Sequence, residues 1–218
     1  MFVGHYGVSF AAKRSAPTIP LWVLFLAVQL LDILWAPLVL LGVEKVRITP
    51  GAPPSTALDF YYMPYTHSLT SALVLSVIAA LAYDTLNRKA TVRASIIVGF
   101  AVLSHWILDF IVHVHDLPLF GNSMKVGLGL WRAAALSLAL EGVILFGGIF
   151  YYLRGRMRQS IGTIVFCVVL FALQAYTTFS QPPSSMTAGA ISAIVAYFLF
   201  AAMIWWLEDR RRRVLPAA

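Results

Sequence analysis

Apolar positions along the chain collect into six long runs, at residues 21–43, 68–83, 94–112, 129–153, 161–179 and 188–207, with short polar stretches between them. A helix rising about 1.5 Å per residue needs about 20 apolar residues to cross a bilayer core. The pattern therefore predicts an all-α integral membrane protein: a single domain over residues 1–218, built as a six-helix transmembrane bundle. The second run is the shortest and opens on Thr66, His67 and Ser68. The one long connection, residues 44–65, holds Pro50, Pro53, Pro54 and Pro64 and cannot be a continuous helix. Ahead of the first run, MFVGHYGVSFAA precedes Lys13 and Arg14. This segment, with residues 1–14 as its bounds, is either a short re-entrant helix carrying His5 about 12 Å inward or an amphipathic helix lying at the surface.

Composition agrees with that reading. Hydrophobic residues make up 60% of the chain and charged residues 11%, where an ordinary soluble domain has roughly 25% charged. Mean hydropathy is +0.82. The single cysteine, Cys167, excludes an internal disulfide and a cysteine-based metal cluster.

The net charge of +7 would suit a nucleic-acid partner, but topology accounts for it. Lys13, Arg14, Arg88, Lys89, Arg93, Arg154, Arg156, Arg158 and the arginines at 210–213 include most of the sixteen basic residues, and all fall on one side of alternating spans. The charge-bias rule makes that side cytoplasmic, with both termini inside. No nucleic acid is expected, and the terminal arginine run suits anionic lipid heads.

Against this background the stretch SHWILDFIVHVHD, residues 104–116, puts three imidazoles and two carboxylates at the end of an apolar helix. Counting from the cytoplasmic ends places Asp32 and His105 each about 18 Å deep, Asp109 about 24 Å and His67 about 25 Å. Ionisable groups at such depths face a bundle interior or an aqueous cavity. His105 and Asp109 share one helical face at i, i+4. Together with Asp32, His67 and His5 they suggest a divalent metal site, since the ion offsets carboxylate charge while imidazole supplies neutral ligands. A proton relay and plain structural pairing are the alternatives.

GHYGVSFAAKR at the start, Asp32 in LLDILW, PYTHSL around His67, and SHWILD with His105 and Asp109 resemble the bacterial membrane-bound metal-dependent hydrolases, inner-membrane proteins also described as LexA-binding, over residues 4–116. The resemblance implies a location in the bacterial cytoplasmic membrane, hydrolase activity, and a ligand set of His5, Asp32, His67, His105 and Asp109. Two positions depart from that pattern: the paired acids expected around the first aspartate read Asp32-Ile33-Leu34, and the basic residue expected before the THS motif is missing from Met63-Pro64-Tyr65.

The chemistry expected is a metal-activated water attacking an ester or phosphoester, with Asp32, Asp109 or Glu141 as the catalytic carboxylate. Zinc suits the histidines best, with manganese or magnesium as alternatives. Ser68 and Ser104 are candidates to orient ligands, along with Tyr6 and Thr66. His113 and Asp116 are expected at the rim of the site, and Lys125 and Arg132 are placed to meet an anionic group at its mouth. A membrane lipid or other amphiphile, such as a lipid phosphate, fits the depth. A homo-oligomer is compatible with the sequence. The principal alternative is an ion- or proton-coupled transporter using the same residues.

Overall fold

The computed structural model describes residues 1–154 and 160–214. Arg156 and Arg158, and the side chains of Arg212 and Arg213, lie outside the described residues. In chain order the elements are α1 (Val3–Ser15), α2 (Leu21–Val28), α3 (Leu30–Leu40), β1 (Lys45–Ile48), β2 (Leu58–Tyr62), α4 (Leu69–Leu86), α5 (Val92–Val112), β3 (Leu117–Phe120), β4 (Ser123–Val126), α6 (Ala134–Leu153), α7 (Ile161–Phe179) and α8 (Met186–Val214), with 3-10 turns at Pro54–Thr56 and Leu130–Arg132.

Helices α4 to α8 are each long and apolar enough to cross a membrane, and α2 with α3 makes a sixth, broken span bent by 52°. Their outer faces are hydrocarbon. Leu73, Val74, Val77, Ile78 and Leu81 of α4 and Val165, Val168 and Val169 of α7 stand exposed, a surface that water would not tolerate and lipid would. The first span differs from its expectation: helix ends at Leu40 and is interrupted at Gln29, whose backbone (φ −108°, ψ 8°) leaves the helical region. The fourth span begins later than expected, at Ala134, because Gly129 adopts a left-handed conformation (φ 76°) and a 3-10 turn follows it.

The N-terminal helix is the centre of the bundle and not a surface helix. Val3, His5, Tyr6 and Phe10 are completely buried, and α1 packs chiefly on α6, then on α2 and α5. Glycines permit that approach: a Cβ at Gly7 would collide with the Ile144 carbonyl, and one at Gly148 with the backbone of Gly7. Both ends of α1 are tied by buried charge. At its start Glu141 Oε2 accepts from the amides of Phe2 (2.9 Å) and Gly4 (3.2 Å), groups that a helix N-terminus leaves without partners. At its end Lys13 Nζ donates to the carbonyls of Pro17 (2.9 Å) and Ile19 (2.7 Å) and pairs with Glu208 Oε1 of α8 at 2.7 Å.

The connections at the opposite end of the bundle are not helical. Residues 44–65 form an antiparallel hairpin, β1 with β2, and β3 pairs with β4 in a second. The second turn has Gly121 at φ 53° in its first central position, where a hairpin's twist asks for a residue that tolerates positive φ. Asn122 joins the two hairpins, accepting from Met63 N (3.2 Å) and donating to the Tyr61 carbonyl (3.1 Å). Lys125 Nζ donates to that same carbonyl at 2.8 Å, so this side chain fastens the cap.

Candidate metal centre

Four elements bring ionisable side chains to one buried point. Asp32 comes from the first turn of α3, His67 from the loop before α4, and His105 and Asp109 from one face of α5. His5 enters from α1. Two overlapping sets of ligand atoms lie within metal-binding reach of one another: His5, His105 and Asp109, and Asp32, His67 and His105.

The distances suit ligands around an ion. His67 Nε2 lies 3.2 Å from Asp32 Oδ1 and 3.9 Å from Asp109 Oδ2. His105 Nε2 lies 3.7 Å from Asp32 Oδ1 and 3.2 Å from Asp109 Oδ2. Tetrahedral ligands at metal distances of about 2.0–2.1 Å stand about 3.3 Å apart. The Nε2 of His105 is buried and finds no aligned hydrogen bond despite its carboxylate neighbours.

The opposite ring nitrogens explain why. His105 Nδ1 is 2.7 Å from the Val28 carbonyl, which can only accept, so this nitrogen carries the proton. His67 Nδ1 is 2.8 Å from Thr66 Oγ1, whose own proton goes to Glu44 Oε2 at 2.6 Å. His113 Nδ1 is 2.9 Å from Asp116 Oδ1. In the neutral form of each ring, this leaves Nε2 with the lone pair, facing carboxylate oxygens. Lone pair facing carboxylate is repulsive unless a proton or a metal ion lies between them, and imidazoles held through Nδ1 in this way are typical of metal ligands.

His113 therefore sits deeper than the rim position expected of it. The α5 helix continues to Val112, so the i, i+4 relation to Asp109 survives, and His113 Nε2 lies 3.6 Å from Asp109 Oδ2 in a buried position. Asp116 is likewise buried behind it, while His115 is exposed. His5 stacks face to face on His105, ring centroids 4.0 Å apart, and its Nε2 contacts the Met1 carbonyl (3.1 Å) and Asp109 Oδ1 (3.3 Å). The Met1 amino group lies 2.5 Å from the same oxygen.

Other expected residues lie apart from the convergence. The carboxylate of Glu141 is taken by the α1 amides and by Gln174 Nε2 at 3.0 Å. Ser104 donates to the Ala101 carbonyl within its own helix (2.7 Å), and Ser68 caps α4 by accepting from Ser71 N (3.1 Å). Tyr6 stacks on Phe25 at 4.4 Å in the core. Arg132 is exposed beside Trp131, and Lys125 is held in the hairpin cap.

Two contributors escaped the sequence reading. Glu44 is buried and also accepts from the amides of Tyr65 (2.8 Å) and Thr66 (3.0 Å). Tyr197 of α8 donates to Asp32 Oδ2 at 2.7 Å. Neither carries a local signal: Glu44 stands beside Lys45 at the start of a loop, and Tyr197 is one more aromatic in an apolar run.

Above the cluster is a cavity of about 480 Å³ floored by Asp32, His67, Asp109 and His113, with Trp35, Phe60, Trp131 and Tyr197 among its walls. The two carboxylates differ toward it, with the side chain of Asp32 18% exposed and that of Asp109 3%. No protein-family profile, curated protein or solved structure matches the chain, so the hydrolase resemblance rests on its motifs and on this geometry. The chain is an all-α integral membrane protein with a buried His/Asp cluster able to hold a divalent metal, as membrane metal-dependent hydrolases in general require.

Proposed function

We propose that the protein is a membrane-embedded metal-dependent hydrolase acting on an ester or phosphoester. The carrying observation is the set of imidazoles fixed through Nδ1 so that their Nε2 lone pairs face Asp32 and Asp109. His67, His105, Asp32 and Asp109 hold the ion, zinc first by ligand type and manganese or magnesium otherwise. A divalent ion bound there supplies Lewis acidity and a water of lowered pKa.

The chain's own groups divide the remaining work. Asp109 is enclosed by the Met1 amino group and by His5, His67, His105 and His113, so it serves as an anchor. Asp32 is the carboxylate open to the cavity, with one oxygen held by Tyr197, and is the better-placed general base. His113, backed by Asp116, joins the ligands or steadies Asp109.

A one-sided chemical site is favoured over a transport path by what lies between the cluster and the Lys13 end. There Tyr6, Phe10 and Phe25 are buried against one another, Tyr6 stacked on Phe25 at 4.4 Å and Phe10 edge to face with Phe25 at 5.5 Å, and the Lys13–Glu208 pair lies beyond them.

The test is metal content of the purified protein beside His105→Ala and Asp109→Ala, followed by turnover of phosphoesters and carboxylic esters by the loaded protein. Stoichiometric metal lost in both variants, with metal-dependent turnover, is expected. A folded wild-type protein that stays metal-free after reconstitution would falsify the reading.

A further inference from the structure

We propose that the cluster is served from the bilayer through a portal between α7 and α8 at the hairpin end, and that its ligand is a lipid with an anionic phosphate head. The placement of the head rests on the metal reading above; the portal itself does not.

The cavity over the cluster does not stay among the ligand-bearing helices. It runs past Tyr197 to Thr177 on α7 and to Met186, Gly189 and Ala193 on α8. A neighbouring cavity of about 360 Å³ shares Thr177, Ala193 and Tyr197 and continues to Gln174. Helices α7 and α8 touch sparingly along their length, and the turn Pro54–Thr56 of the long connection also packs on α7.

Next to these cavity residues in the same two helices, Tyr176, Phe179, Ile191 and Val195 are exposed apolar side chains on the bundle perimeter. In a chain whose perimeter is hydrocarbon, that places bilayer at the mouth of the cleft. Gly189 and Ala193 are four residues apart, the small-residue spacing by which membrane helices usually approach one another. Here, among the described residues, no helix lies against that strip: Pro183 packs on Gly189, and beyond it the strip borders the cavity.

The two ends of the space call for opposite chemistry. Its floor is the His/Asp cluster, where a bound cation attracts an anionic head; its far wall presents the apolar surface of Met186, Pro182, Pro183 and Ala193, with Thr177, Ser180, Gln181 and Ser192 set among them and no charged side chain. A soluble anion would satisfy the floor and leave the wall bare. A single molecule with a phosphate head and an alkyl tail satisfies both, with its tail lying in the cleft.

The experiment uses full-length protein in liposomes containing phosphatidic acid with a photoreactive acyl chain, with labelled residues mapped after irradiation and metal content measured on the same preparations. Labels on the segment 186–193 are expected, lost in Ala193→Trp, which fills the cleft from α8, and in Thr177→Trp, which fills it from α7. Val195→Trp, on the perimeter, should keep them. Labelling confined to perimeter residues and indifferent to both filling substitutions overturns the portal even if the protein holds metal. Cleft labelling in a protein that takes up no metal supports the portal and overturns the metal reading instead.

Discussion

The Tyr197 hydroxyl donates to Asp32 Oδ2 at 2.7 Å, so α8, otherwise remote from the cluster in sequence, holds the carboxylate whose other oxygen faces His67 and His105. Outer hydrogen bonds of this kind fix a ligand's orientation and cost about 10–100-fold in metal affinity or activity when removed. Tyr197→Phe should therefore weaken metal binding by about that factor, read by competition against a chelator, with little change in the thermal stability of the metal-free protein.

Glu44 and Thr66 act as a unit on His67. Glu44→Gln keeps the size but weakens the acceptor for Thr66, and Thr66→Val removes the link altogether. Each should reduce metal affinity, and the double variant should cost little more than Thr66→Val alone, because contacts in one chain of hydrogen bonds are not additive. Additive losses in a competition titration would mean that Glu44 acts on the hairpin loop and not through the imidazole.

Glu141 separates stability from chemistry. In Glu141→Ala the buried amides of Phe2 and Gly4 lose their acceptor, a cost of about 1–3 kcal/mol. The expected outcome is a lower melting temperature with metal still bound well below it. Metal lost from a variant of undiminished stability would instead put this carboxylate among the ligands.

Gly7→Ala tests whether α1 must sit against α6 for the site to form. The added methyl meets the Ile144 carbonyl, and overpacking of this kind costs about 1–3 kcal/mol. Because His5 stacks on His105 from the same helix, metal affinity should fall along with stability. An unchanged affinity would make α1 a scaffold only.

Acid should strip the ion. Imidazole ligands bind metal in their neutral form, so affinity rises with pH and declines as the medium falls below about pH 6, with protons released on binding at constant pH. Titration calorimetry in buffers of different ionisation enthalpy measures that release, and a pH-independent affinity would exclude imidazole ligation.

The spans and the inward-facing acids and imidazoles were legible because each obeys a local rule: apolar length, helical spacing, and the cost of charge at depth. Asp32, His67, His105 and Asp109 could be grouped from depth alone. His113 could not, because it follows the end of the apolar run at residue 112; the helix does end there, but His113, as its capping residue, still lies one turn from Asp109, with Nε2 3.6 Å from Asp109 Oδ2. Glu44 and Tyr197 reach the site through loop and helix packing that no nearby residue announces. The hairpins were hidden for a related reason: β1 and β2 pair across the proline-containing turn at Pro54–Thr56, and prolines read locally indicate only the absence of helix.

The break at Gln29 has a further effect on how the site withstands mutation. Val28 ends α2, so its carbonyl has no onward partner in that helix and is free to accept from His105 Nδ1. Because this acceptor belongs to the main chain, substitution of the Val28 side chain leaves it in place, whereas a serine or aspartate in that role could be deleted by one codon. The orientation of His105 is thus inherited from the path of the chain, and only a change that straightens the span can take it away.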